Sequence, residues 1–284
     1  MKYWSEIKYK LTDHITVAMQ LLLLMLGIYI FIMAEKERFW KIPMLFIGLM
    51  VWFFLQKKSK HPIIWIAFFA LLVFDLYHFY FRVANHHFML MFMVLPVIFY
   101  MYHQKRSILL KNIQMLLVIV ILTSVVQKLL SSQFMSGDFY YYMMNKGSIF
   151  GTFLNFFPDS LEVAQSNRAS MLALYALDPN EGEHIVLNNV FPYLGQISFL
   201  FAWATVAVEF LVAIAILWKP RHIVTHLLFL TMILGILCTR LETGFMALLA
   251  ICGIFLCHNI KLRLLYVMIV MGCIALVVTK LGYH

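Results

Sequence analysis

Long apolar runs, separated by short polar breaks, dominate the chain. Each is close to the ~20 residues a helix needs to cross a ~30 Å hydrocarbon core. Reading runs against breaks predicts nine spans, the first five being His14–Met33, Phe39–Gln56, His61–Tyr80, Asn85–His103 and Ile108–Leu130. The other four are Gln196–Trp218, His222–Thr239, Glu242–His258 and Leu264–Leu281, and the second and seventh of the nine are short for the task. One polar interval, 131–195, is too long for a turn. Inside it, Phe139–Phe157 and Ser160–Leu177 are aromatic and moderately amphipathic, with Pro158 and Pro179 as breakers. They read as short interfacial or re-entrant helices that cap the bundle. No internal repeat interrupts this order, so a single domain over residues 1–284 is expected.

Composition narrows the class. The chain has 284 residues, 63% hydrophobic and 12% charged, against ~45–50% and ~25% in a soluble domain. Too little polar surface is available to cover a water-facing globule, which excludes a soluble enzyme and a cytosolic nucleic-acid binder. The expected fold is all-α, a polytopic membrane helix bundle.

The net charge of +9 would suggest nucleic acid in a soluble protein. Here the cations cluster between apolar runs. Lys2, Lys8 and Lys10; Lys57, Lys58 and Lys60; Lys105, Arg106 and Lys111; Lys219 and Arg221; and Lys261 and Arg263 all fall on one side of nine alternating spans. The other side carries Lys36, Arg38 and Lys41 offset by Glu35 and Glu37, and the long segment with Asp138, Asp159, Glu162, Asp178, Glu181 and Glu183. By the positive-inside rule the N-terminus is cytoplasmic, the long segment is extracytoplasmic, and His284 is outside. An inner or plasma membrane location is expected. Met1–Asp13 is mixed polar and no small-residue cleavage site follows, so the first span is expected to stay as a helix. Cys238, Cys252, Cys257 and Cys273 lie in apolar segments without CxxC or zinc spacing and read as small hydrophobes.

Ionisable groups inside apolar spans are costly and therefore candidates for function. They are Asp75 and His78, Asn85 with His86 and His87, Lys128, Glu209, and the pair Arg240 and Glu242. Nearly all fall in the outer half of their spans, which suggests a polar cavity opening outward. Asp75 and His78 share a helix face at i,i+3. Plainer readings stand beside these. Asn85 has the chemistry of an N-cap, His86 or His87 that of an interfacial group, and Lys128 could snorkel to headgroups. Glu209 lies too deep to snorkel and could be a structural acid paired with Arg240. Arg240 and Glu242 could be boundary charges. His222 and His226, at i,i+4 on the cytoplasmic end, read as boundary residues, and no metal site is expected.

Two blocks resemble a known family. Phe74-Asp75-Leu76-Tyr77 through Asn85-His86-His87-Phe88-Met89-Leu90 is similar to the Asp…Asn-His-x-[aromatic]-Leu segment of vitamin K-dependent gamma-carboxylases, within the horizontally transferred transmembrane (HTTM) family. Val126-Gln127-Lys128-Leu129 followed by Phe134-Met135-Ser136-Gly137-Asp138-Phe139 resembles that family's helix ending in Lys-Lys-Leu and then Trp-x-x-Gly. Glu209–Ile254 is more weakly similar, with Glu242-Thr243-Gly244-Phe245-Met246 in its last helix. Gln127 stands at the first lysine and Phe134 at the tryptophan, and the penultimate block has no Phe-His.

The resemblance implies Lys128 as the base that activates a reduced quinone of the vitamin K or menaquinol type, with His86 assisting carboxylation and Asn85 positioning. It also implies an extracytoplasmic peptide or protein substrate. Asp75, His78, Glu209, Arg240 and Glu242 are the accompanying substrate- or cofactor-binding candidates. An amine serves as a base near neutral pH only where its surroundings disfavour the ammonium, as burial at an apolar cavity does.

Three functions remain open. One is a gamma-carboxylase-like membrane enzyme, a lyase or carboxylase. Another is a non-enzymatic maturation, immunity or quinone-binding partner subunit of the same fold, favoured by the lack of a large extracytoplasmic substrate-binding domain. The third is a transporter, disfavoured because inverted repeats and Gly/Pro-broken helix pairs are missing. Membrane lipids are partners in every case.

Overall fold

The computed structural model describes all residues except 1, 34–36, 55–61, 84, 179–181, 183 and 280–284. Lys57, Lys58 and Lys60, Glu35 and Lys36, Pro179, Glu181, Glu183 and His284 therefore lie outside the described residues. Among those described there is no strand, and the chain runs from helix to helix. The first five helices are α1 (Lys2–Thr12), α2 (His14–Met33), α3 (Arg38–Phe54), α4 (Ile63–His78) and α5 (Asn85–His103). Then come α6 (Arg106–Leu130), α7 (Ser132–Met135), α8 (Asp138–Asn145), α9 (Gly151–Leu154) and α10 (Pro158–Tyr175). The last four are α11 (Leu194–Trp218), α12 (Ile223–Arg240), α13 (Thr243–Leu256) and α14 (Ile260–Val278).

Six of these, α2, α5, α6, α11, α12 and α14, are long and apolar enough to cross a membrane. The apolar helices α3, α4 and α13 have 17, 16 and 14 residues. Local chemistry accounts for the boundaries. Asp13 caps α2, accepting from the Thr16 hydroxyl at 2.6 Å and its N–H at 3.5 Å. The Asn259 side chain accepts from the N–H groups of Lys261 and Leu262 at the start of α14. Pro158 opens α10, where its missing N–H costs nothing. Pro43 and Pro96 lie inside α3 and α5, positions a membrane helix tolerates when neighbours re-satisfy the backbone.

The expected helix over 139–157 is instead two, α8 and α9. Gly147 and Phe150 adopt positive φ values of 69° and 58° between them, which a continuous helix cannot contain. Asp13 also follows a helix, α1, where the sequence suggested only a polar lead-in.

The chain forms two compact units, residues 1–120, 213–233 and 242–284 in one, and 121–212 with 234–241 in the other. The first unit is organised on α13, which packs on α14, α2 and α5. Every residue from Met246 to Leu256 is buried, so this helix is apolar all round because it has no outer face. Gly253 is the point of closest approach: a Cβ there would meet the Tyr266 ring at 2.5 Å. Tyr266 in turn hydrogen-bonds His226 Nδ1 at 3.1 Å. His226 is thus a buried core group, not the boundary residue its spacing with exposed His222 suggested.

In the second unit, Asn145 and Asn167 tie the 131–195 segment together. Asn167 donates to the carbonyls of Asn145 and Asn188 and accepts from the Asn188 N–H, while Asn145 Oδ1 accepts from the Val190 N–H. The segment is a folded layer, not a loop.

Gly253→Ala should force Tyr266 aside and cost about 1–3 kcal/mol, as overpacking does. The expected readout is a lower melting temperature in detergent; wild-type melting would contradict the packing described.

Candidate functional site

Lys128 lies two residues from the end of α6, on the same face as Ser124 one turn earlier. Its ammonium donates to Ser124 Oγ at 2.5 Å and to both oxygens of Glu209 on α11, at 2.8 and 2.7 Å. Ser124 Oγ donates in turn to Glu209 Oε2 at 3.2 Å. Three N–H donors thus meet three acceptors, and Lys128 points at a carboxylate, not at headgroups. The Glu209 side chain is 8% exposed and that of Lys128 18%, so the lysine side chain is partly open.

An aromatic cap bounds this site. The Phe134 ring lies 5.8 Å from Lys128 Nζ. Phe134, Phe139 and Tyr140 pack on one another, and Tyr140 packs on Phe201 of α11. The Tyr140 hydroxyl and Thr205 Oγ1 are 3.1 Å apart. Gly137 makes the cap possible. Its φ of 86° starts α8, and a Cβ would meet the Phe199 backbone N at 2.6 Å, so both conformation and clearance demand glycine. The Arg240 guanidinium stands over the Phe139 ring at 5.6 Å.

A second charged pair sits in the first unit. Lys41 of α3, fully buried, bonds Asp75 Oδ1 of α4, also fully buried. Glu37 Oε2 is 3.0 Å from the same ammonium, and the rings of Trp40, Phe74 and Phe79 surround it at 5.4–5.7 Å. Close by in sequence, His87 of α5 donates from Nε2 to the Leu72 carbonyl at 3.0 Å and accepts at Nδ1 from the Tyr29 hydroxyl at 2.8 Å. The carbonyl can only accept, so Nε2 carries a proton.

The candidates therefore divide. Lys128 and Glu209 come together. Asp75 and His78 do not: Asp75 faces inward, while exposed His78 turns back to the Phe74 carbonyl at 3.1 Å and stacks on the Phe74 ring. Asn85 is exposed at the start of α5, and half-buried His86 sets its ring edge-on to Tyr29 at 5.2 Å. Both belong to the first unit and Lys128 to the second. Glu242 precedes α13 at the turn where Leu241 takes a φ of 51°.

Sequence reasoning missed Lys41, which it counted among loop cations. The signal was present, since Lys41 lies two residues inside the apolar run beginning at Phe39. It also took Arg263 for a surface charge. Arg263 is buried, donating to the Cys257 carbonyl at 2.6 Å and to Leu11 at 2.6 Å, with Thr12 and His258 further off.

Among the described residues no three His, Cys, Asp or Glu side chains converge as metal ligands. An amine, a hydroxyl and a carboxylate beneath the Phe134 ring have the chemistry to hold a hydroquinone, which offers two hydroxyls on a flat apolar ring. Compared with protein-family models, with curated proteins and with solved structures, the chain finds no match in any of the three.

Breaking one side of a buried ion pair costs about 3–5 kcal/mol, because the other charge is stranded, whereas replacing both with apolar groups can be neutral. Lys41→Met alone, which strands fully buried Asp75, should sharply reduce folded yield, and Lys41→Met with Asp75→Leu should recover most of it. Additive losses, measured by size-exclusion yield and melting, would show that the two side chains do not act as a pair.

Proposed function

We propose that the chain is an integral inner- or plasma-membrane protein of about nine spans, cytoplasmic at its N-terminus and extracytoplasmic at its C-terminus. We further propose that it is a membrane enzyme resembling the core of vitamin K-dependent gamma-carboxylase, modifying an extracytoplasmic substrate with Lys128 as its proton-handling group. The observation that carries the reading is the contact of Lys128 with Glu209 and Ser124 beneath the aromatic cap.

That contact lets the pair move a proton without creating a stranded charge. Passing one proton from Nζ to a Glu209 oxygen turns ammonium and carboxylate into amine and acid. The hydrogen bond survives, net charge is unchanged, and a lone pair appears on Nζ. Glu209 is thus the residue on which any basic action of Lys128 depends. A bound quinol would supply an acidic hydroxyl to that amine. His86, by the resemblance, would assist the substrate step.

The orientation draws support from the first unit. Arg263 of one basic cluster holds the end of α1, where Lys8 and Lys10 lie, and Lys111 and Arg221 of two more clusters line one cavity with Leu256. Clusters far apart in sequence thus meet at one end, as a common cytoplasmic side requires.

The same contact favours a second reading. All three donors of Lys128 are engaged, which suits a fixed ion pair in a non-enzymatic maturation, immunity or quinone-binding subunit. Lys128→Arg separates the two. Arginine keeps the charge for Glu209 but cannot present a free amine. With vitamin K hydroquinone, dioxygen as oxidant and labelled bicarbonate, the wild type should oxidise quinol and label a glutamyl peptide; Lys128→Arg should fold normally and do neither. A wild type inert in both assays, or an active arginine variant, would overturn the enzyme reading.

Topology has its own check. Cysteines placed at exposed Lys105 and Asp178 should differ in intact cells, with 178 labelled by an impermeant thiol reagent and 105 protected. The reverse pattern would invert the orientation.

A further inference from the structure

We propose that a cavity at the N-terminal end of α6 binds the phosphate headgroup of an anionic phospholipid. It lies between the first turns of α6, the turn joining α11 to α12, and the C-terminus of α13, and has a volume of about 350 Å³. That is the small end of ligand pockets, ~300–1,000 Å³, the size of a headgroup and not of a whole lipid. It is roughly five turns from Lys128 along the same helix and serves no step described above.

Its polar lining is cationic. Lys111 and Arg221 both face it, with the Ser107 hydroxyl beside them. Both cations are exposed, and among the described residues neither has an ion-pair partner. Ser107 stands in the first turn of a 25-residue helix, whose dipole adds positive potential at the site.

The wall behind them is fixed. Buried Gln114 donates to the last carbonyls of α11, Ile216 at 2.8 Å and Leu217 at 3.1 Å, locking α6 to α11 at that level. Each of those carbonyls thereby has a donor. The remaining lining, Leu110, Pro220 and Leu256, is apolar. An inorganic phosphate gains nothing from that half, whereas the glycerol and first acyl carbons of a lipid do. Trp218, exposed at the adjoining end of α11, belongs at the headgroup level where tryptophan concentrates. Basic pockets between helices on the cytoplasmic side suit phosphate lipids. The binding depends on none of the chemistry assigned to Lys128.

The test uses the full chain in detergent, titrated with phosphatidylglycerol or phosphatidylcholine and read by native mass spectrometry. Phosphatidylglycerol should be retained preferentially. Lys111→Gln and Arg221→Gln should each weaken it about fivefold, as ~1 kcal/mol per cation implies, and the double variant more. Lys111→Arg should bind as wild type, confirming that charge and not folding is at issue. Lys261→Gln, an exposed cation outside the cavity, should also leave binding intact. Wild-type retention in the double variant, or equal loss in Lys261→Gln, would overturn the site. A parallel titration with inorganic phosphate distinguishes the source: phosphate bound through Lys111 and Arg221 and not displaced by phosphatidylglycerol would overturn the lipid assignment.

Discussion

A charge placed in hydrocarbon must find its counter-charge inside the protein, and that requirement sets much of this architecture. Lys41 meets Asp75 34 residues away, and Lys128 meets Glu209 81 residues away. Each pair fixes the rotation and depth of two helices at once, since a slip of one residue turns a side chain by about 100° around its axis. Arg263 solves the same problem without an acid, spreading its donors over carbonyls at the ends of α1 and α13. Apolar packing alone discriminates poorly among helix arrangements in a membrane, where lipid tails compete on equal terms. These few polar contacts supply the discrimination.

The two lysine pairs differ in what they can do. Lys41 and Asp75 are both fully buried, and three aromatic rings close around the ammonium. No reactant can approach without dismantling the packing, so the pair is structural. Lys128 retains partial exposure and a single ring nearby, and its acid is backed by a hydroxyl that can follow a proton shift. Of the two pairs, the one at Lys128 is the less sealed.

The helices were legible because a membrane span is a long-range compositional signal. The runs predicted as His14–Met33 and Asn85–His103 are helices over the same residues in the structure. The helix broken at Gly147 was less legible, because aromatic residues continue through the break and only local φ values reveal it. Glu209 was recognised as too deep for a boundary charge, yet its partner could not be read, since α6 and α11 are joined only through tertiary packing. His86 and His87 show the same limit. Adjacent histidines on a helix point about 100° apart, and pattern alone did not tell that His87 is the buried one, held by Tyr29 and Leu72.

The second block of the family resemblance, read physically, combines two kinds of requirement. Gly137 is fixed by backbone geometry: a left-handed turn pressed against α11 leaves no room for a side chain. Phe134 is fixed by packing, as the ring that roofs the ammonium. Neither needs chemistry to explain it, and together they build a lid that lowers the local dielectric over Lys128. That in turn strengthens the hold of Glu209 on the lysine. Both oxygens of Glu209 and the Ser124 hydroxyl hold the ammonium beneath that lid, so the placement of Lys128 rests on Glu209, the residue the resemblance matches only weakly.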